Sequence, residues 1–149
     1  MSGTEWHVWK PYLNEFSGNL AVCCSDERFM AGTLEFLRVG LSFERCDLVA
    51  VAGGPAFIVQ SEESLMERLK LHVSAHRIQR IALLTHADCA YYQSRHKASD
   101  AEAVKTRQCE DACRATERLQ SAFAGVRVEA FYATVDQWGF VFTPLLHKE

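Results

Sequence analysis

Leu20-Ala21-Val22-Cys23-Cys24-Ser25-Asp26-Glu27-Arg28 is the stretch that decides how this chain is read. Its first four residues form an apolar run of the length expected for a buried strand. A thiol, a carboxylate and a guanidinium then follow, in Cys24-Ser25-Asp26-Glu27-Arg28. Reactive groups directly after a strand lie where open α/β sheets bind their ligands, at the carboxyl ends of the strands. Ile81-Ala82-Leu83-Leu84 repeats the pattern and runs into His86-Ala87-Asp88-Cys89. Two short strands that end in soft or borderline ligands suggest one zinc site on Cys24, His86 and Cys89.

The segments around these two runs predict an α/β chain. Ser17-Gly18-Asn19 breaks the chain before the first strand, at about Leu20 to Cys23. Phe29, Met30, Leu34, Leu37 and Leu41 fall at helical spacing. Asp47 to Ala52 reads as a second strand, apolar enough to be covered on both faces. Gly53-Gly54-Pro55 permits a sharp turn or a close backbone approach, and the proline can open the next segment. Ser61-Glu62-Glu63-Ser64 has the chemistry of a helix start, with Ser61 as the cap, and that helix runs to about His76. A third strand spans Ile78 to Thr85. Ser99-Asp100-Ala101-Glu102 opens a long helix to about Phe123, stopped by Gly125. Val126 to Phe131 alternates as a strand, and Asp136-Gln137-Trp138-Gly139 turns the chain into a last strand at Phe140-Val141-Phe142. This order predicts an α/β/α sandwich: a mostly parallel central sheet with an antiparallel C-terminal edge strand. Residues 1–149 are expected to form one domain, with 1–18 as an N-terminal arm whose Trp6, Trp9, Leu13 and Phe16 would suit a short helix with an apolar face.

Composition narrows the function. The chain has 149 residues, 48% of them hydrophobic, enough for one sizeable core. A formal charge of −3, with signs interspersed, favours neither nucleic acid nor an anionic membrane as a partner. No apolar run is long enough to span a bilayer, and the N-terminus lacks the apolar centre of a secretion signal. Six cysteines in such a chain read as thiols, ligands or buried small residues rather than disulfides, which makes the cytoplasm the expected compartment. Gly53-Gly54 has no lysine and hydroxyl residue at Walker spacing after it, so a nucleotide site is rejected.

The metal-site chemistry assigns work to the neighbours. Side chains leaving adjacent parallel strands, about 4.8 Å apart, can reach a common ion. Three protein ligands leave the fourth zinc position to water, the catalytic arrangement. Two thiolates neutralise the ion and make its water less acidic than three imidazoles would, so a nearby proton acceptor helps. Asp26 suits that role, and the planar fork of Arg28 can hold it ionised and aimed.

Cys24-Ser25-Asp26-Glu27-Arg28, Ala52-Gly53-Gly54 and His86-Ala87-Asp88-Cys89 together resemble the β-class carbonic anhydrases, in order and in placement after strands. The resemblance is strong from about residue 19 to 90. It is topological beyond, where Tyr132, Asp136 and Gly139 lie in a hairpin like that family's last one. It implies zinc on Cys24, His86 and Cys89, with an Asp26–Arg28 dyad beside the bound water. The implied reaction is reversible hydration of carbon dioxide to bicarbonate and a proton by a metal-bound hydroxide. It also implies a homodimer or larger homo-oligomer. The chain departs from the family at Ala90, where glycine is common, and at Ala50-Val51-Ala52-Gly53, where Arg-Asn-Ala-Gly is common. Relatives of the fold that hydrolyse carbon disulfide or carbonyl sulfide are the rival enzymes, and a non-catalytic zinc protein is the rival outside enzymology.

The remaining candidates read as structural. Cys109 and Cys113 share a helix face, and Cys23 and Cys46 lie in or beside strands; buried thiols are the expectation. His72 and His76 also share a helix face, without the glutamate of a zinc protease. Asp88 is expected in the loop or beside the ligands, and at least one of Tyr91 and Tyr92 in the core. One identifiable ligand set predicts about one zinc per chain.

Overall fold

The computed structural model describes residues 3–145. Strand β1 (Asn19–Cys23) leads into helix α1 (Glu27–Gly40) and strand β2 (Asp47–Ala50). Helices α2 (Ala56–Gln60) and α3 (Glu63–Ala75) precede β3 (Arg80–His86). Helices α4 (Ala90–Arg95) and α5 (Ala101–Ala122) precede the hairpin of β4 (Arg127–Asp136) and β5 (Gly139–Leu145). Among the described residues the strands form one sheet in the order β2-β1-β3-β4-β5. β1 to β4 run parallel, and β5 pairs antiparallel with β4. The α/β/α sandwich with an antiparallel C-terminal edge is therefore the fold.

Strand periodicity distributes the core. Leu20, Val22, Ile81, Leu83, Val128 and Ala130 face Phe57 and Ile58 of α2, Leu69 of α3, and Ala112, Ala115 and Leu119 of α5. The intervening residues Ala21, Cys23, Ala82, Leu84 and Phe131 face Leu37 of α1 and Phe43. Alternate side chains leave opposite faces of a strand, so each strand serves both layers. The chain turns from β1 to β2 on one side and from β3 to β4 on the other. The carboxyl ends of β1 and β3 therefore meet at the switch point of the sheet, where a crevice opens.

Four expectations need correction. The described part of the N-terminal arm, residues 3–18, forms no helix, and Trp6 and Trp9 stand 91% and 90% exposed. Pro11 lacks a donor and restrains Lys10, and a helix this short needs packing that the arm does not have. The arm is tied down near its end instead, where Arg45 Nη2 donates to the Glu15 carbonyl at 2.8 Å. Strand β2 is an edge strand, not one covered on both faces, and Leu48 remains exposed. Ser61 does not cap α3. It has left-handed φ of 56° and ends α2, a short helix the periodicity did not reveal, while Glu62 precedes α3 without a side-chain cap. The hairpin strands are longer than the alternation suggested, because Tyr132 to Asp136 continues the ladder against Gly139 to Thr143.

Gly53 and Gly54 fit between the crevice and its helices. Both have positive φ, +83° and +54°. A Cβ on Gly53 would lie inside the Tyr91 ring, and one on Gly54 would meet the Leu84 carbonyl oxygen at 2.8 Å and the Cys24 nitrogen at 3.0 Å. The pair thus lets the chain leaving β2 close over the ends of β1 and β3. Left-handed backbone costs a side chain about 1–2 kcal/mol, and overpacking adds about 1–3 kcal/mol. Gly54→Ala is therefore expected to destabilise the fold by roughly 2–5 kcal/mol in denaturant titrations. A loss below about 0.5 kcal/mol, the level of an ordinary surface change, would refute that close approach.

Candidate metal centre

Cys24 follows β1 directly, and the last residue of β3 is His86. Cys89 is the N-cap of α4. Asp88, between them, adopts left-handed φ of 58°, which turns the chain sharply enough to bring both flanking side chains to one point. The donor atoms of Cys24, His86 and Cys89 all lie within 4.8 Å of one another. The two sulfurs are 4.0 Å apart. Two thiolates on one tetrahedral zinc stand about 3.8 Å apart, given Zn–S bonds of about 2.3 Å. The separation already matches.

His86 is oriented for coordination. Its Nδ1 lies 2.7 Å from the Ala87 carbonyl, to which it donates, leaving Nε2 as the lone-pair nitrogen. That Nε2 is the buried side-chain nitrogen or oxygen without a hydrogen-bond partner among the described residues. Buried polar atoms are rarely left so, and an ion held between the sulfurs would supply the missing partner. Phe29 of α1 stacks on the imidazole at 4.2 Å and fixes its plane. Buried Gln108 of α5 donates to the His86 carbonyl at 2.8 Å and to Thr85 Oγ1 at 2.9 Å, so the strand end is held from behind as well. Gln108 escaped the sequence reading, since a lone glutamine on a helix carries no signal of its own.

The electrostatics separate two adjacent cysteines. Cys23 points into the core, where burial pushes its thiol up to about 12. Cys24 is driven the other way, chiefly by the hydrogen bond with Cys89 and further by His86 and the backbone amides of Asp26 and Gly53. Cys89 is correspondingly raised, first by sharing with Cys24 and then by burial. Burial works against charge on His86, but the Cys24 sulfur and the Ala87 carbonyl outweigh it and lift the imidazole above its ordinary value.

Arg28 holds the acidic groups. Its Nη2 and Nε reach Asp26 Oδ2 at 2.7 and 3.2 Å, and Nε reaches Oδ1 at 3.1 Å. The Arg28 backbone amide also donates to Asp26 Oδ1, so Asp26 both caps α1 and accepts the fork. The other side of the guanidinium takes Asp88 Oδ2 at 2.9 Å and the Asp88 carbonyl at 3.0 Å. The side-chain hydrogen bond from Arg28 is the main cause that holds Asp26 down at about 2. Asp26 Oδ2 lies 3.9 Å from His86 Nε2, beside the Cys24–His86–Cys89 cluster and turned toward Arg28. Asp88 lies between His86 and Cys89, bound to Arg28 and to Gln93 Nε2 at 2.6 Å. Tyr92 is buried, donating to Asp111 at 3.0 Å, while Tyr91 donates to Gln60 over Gly53. Cys109 and Cys113 on α5 join no converging group of three donors among the described residues, whereas His72 and His76 do, with Asp47.

Comparisons with known proteins place the fold among carbonic anhydrases. A carbonic anhydrase of Streptococcus mutans superposes with a TM-score of 0.61 at 17% identity, over 90% of this chain and 87% of its own. One from Glaciozyma antarctica gives a TM-score of 0.59 at 13% identity, over 91% and 85%. One of two tetrameric β-carbonic anhydrases from Sordaria macrospora gives 0.55 at 12% identity, over 80% and 76%. At these identities the likeness is one of fold. No curated protein sequence matches significantly. A family model described as "Putative carbonic anhydrase" matches residues 14–142, a span that includes both strand-end motifs and most of the closing hairpin, and the chain belongs to that carbonic anhydrase family.

Proposed function

We propose that this chain is a zinc-dependent carbonate dehydratase, interconverting carbon dioxide with bicarbonate and a proton. Cys24, His86 and Cys89 hold the ion in this reading, and Asp26 with Arg28 orients the water. The observation that carries it is the unpartnered buried Nε2 of His86 beside two sulfurs that stand 4.0 Å from each other. When bound, zinc supplies a Lewis acid that makes water acidic enough to lose a proton near neutral pH.

The chain's own residues do the rest. Asp26 remains anionic under its Arg28 clamp and would accept a hydrogen bond on Oδ2 from that water, orienting it, while the proton itself leaves to solvent. Arg28 keeps the carboxylate from turning onto the cation, since its fork occupies both Asp26 oxygens. Phe29, packed on His86 and edge-on to Phe140, closes the α1 side of the centre against water. The exposed aromatic arm, with Trp6, Trp9 and Tyr12, suits burial against a second copy in a homodimer or larger homo-oligomer. No described helix is long and apolar enough to cross a membrane. A reducing compartment, the cytoplasm, suits a centre that needs both thiols.

Stopped-flow measurement of carbon dioxide hydration on metal-quantified protein tests this reading directly. Wild type is expected to hydrate carbon dioxide, and Cys89→Ala to lose both the ion held there and the activity. Sulfide release from carbonyl sulfide or carbon disulfide without bicarbonate formation from carbon dioxide would overturn it. Full retention of that ion by Cys89→Ala would remove Cys89 from the ligand set.

Arg28→Ala should retain the metal and lose at least about tenfold in rate, about 1.4 kcal/mol of barrier, because Asp26 is then free to take the position kept for water. Near-normal activity would sink this role for Arg28. The same variant carries a pH signature. Asp26 has a folded pKa near 2 against an ordinary 3.8, so its pairing stabilises the fold above about pH 4, and that contribution fades as pH falls toward 2. Unfolding curves of wild type and Arg28→Ala should therefore converge between pH 5 and pH 2. A gap that stays constant would mean the pair contributes nothing to that slope. Removal of residues 1 to 16 is expected to weaken self-association in sedimentation, and wild type that stays monomeric at every concentration would refute the oligomer.

A further inference from the structure

A second set of donors converges at the far edge of the sheet. Asp47 opens β2, while His72 lies in the last turn of α3 and His76 is its C-cap. Both imidazoles turn Nδ1 onto one carboxylate oxygen, Asp47 Oδ2, at 2.9 Å for His72 and 2.5 Å for His76. All three donors lie within 4.8 Å of one another. Four-residue spacing puts the histidines on one helix face, and the start of β2 supplies the third group. Asp47 pairs with Leu20 and Ala50 with Cys23, so the cluster stands roughly 10 Å along the strands from the Cys24 end.

From this geometry we propose that Asp47, His72 and His76 form a second divalent transition-metal site, of the zinc, cobalt or nickel class. Two imidazole nitrogens and one carboxylate oxygen are borderline donors that suit these ions over magnesium or calcium. With neutral imidazoles the set carries one negative charge, which favours a cation. Both Nδ1 atoms point at Asp47 Oδ2, and a cation would enter between the three donors as the carboxylate draws back, each imidazole then carrying its hydrogen on Nε2. Donors around a tetrahedral zinc stand roughly 3.3–3.5 Å apart, from bonds of about 2.0–2.1 Å. The required opening is thus roughly 0.4–0.6 Å from His72 and about 0.8–1.0 Å from His76, at Asp47, the first residue of an edge strand. The side chains are 21–36% exposed, which leaves room for water to complete the coordination. The two rings stand nearly perpendicular, at 83°, and so approach the shared point from different directions. Phe16 stacks on His76 at 3.8 Å with 13° between the planes, holding that ring in place. An ion here would fasten the edge strand to α3 directly beneath the departure of the N-terminal arm. Asp47 precedes the histidines by 25 and 29 residues, which is why the sequence showed only one ligand set.

Full-length protein given one equivalent of cobalt, then titrated with more, tests the proposal. Histidine NMR signals and thiolate-to-cobalt absorption are followed together, and zinc titrations are run in parallel. A second equivalent should bind, more weakly than the first, and perturb His72 and His76 without changing the thiolate absorption. In Asp47→Asn and His76→Gln, each checked for wild-type circular dichroism, that second affinity should fall at least tenfold while the thiolate absorption persists. The proposal is overturned if the His72 and His76 signals of wild type stay unmoved through two equivalents. It is equally overturned if folded variants bind the second equivalent as wild type does. Absence of thiolate absorption with normal His72 and His76 shifts would count against the Cys24 centre alone and support this second site.

Discussion

Hydrogen bonding between β1 and β3 pairs Asn19 with Arg80 and Val22 with Leu83, and these few ladder rungs set the geometry of the whole crevice. Cys24 follows one of these strands directly, and His86 ends the other. Side chains that leave neighbouring strand ends are separated by little more than the inter-strand spacing of about 4.8 Å. β1 also pairs with β2 on its other side, so neither of its edges is open and Leu20, Ala21 and Val22 are wholly buried. A slip of one residue in the β1–β3 register would turn Cys23 toward the place of Cys24 and expose the apolar set. Burial on both faces opposes that slip.

Around this frame the charges are arranged by short, local means. Arg28 is the hub, joining Asp26 at the start of α1 to Asp88 in the turn between His86 and Cys89. Exposed ion pairs add little to stability on their own. Their value here is positional, because the two acids lie on loops that the sheet does not fix. The contrast between Cys23 and Cys24 follows from the same layout: one thiol faces the core, while its neighbour meets Cys89, His86 and two backbone amides.

The sequence made the strand ends legible because apolar runs stop abruptly at chemistry, and such a break has few meanings in an α/β chain. Helices α1 and α5 were equally plain, the second from the Asp100 cap, which accepts from the Ala103 amide at 2.8 Å. What escaped was decided by tertiary context. The aromatic spacing of Trp6, Trp9, Leu13 and Phe16 suits a helix, but Pro11 and the lack of packing leave the segment without helical structure. Ser61 has the composition of a cap, yet the Gly53-Gly54-Pro55 turn starts α2 first and leaves Ser61 as its end. Gln108, Asp47 and the two histidines of α3 gain meaning only from what the fold brings beside them.

The separation of the ligands along the chain bears on folding as well as on chemistry. Cys24 and His86 become neighbours only after α1, β2, α2 and α3 have been laid down and β3 has docked against β1. Contacts of such long range form late and incur the full entropy of loop closure. The Cys24 cluster is thus unlike a zinc knuckle, in which a short loop can grip an ion before the rest of the domain exists. Its three donors come together only when the parallel sheet has closed, and any opening that parts β1 from β3 scatters them at once. Occupancy of the cluster by an ion would report the cooperative unit as a whole, not the state of a single loop.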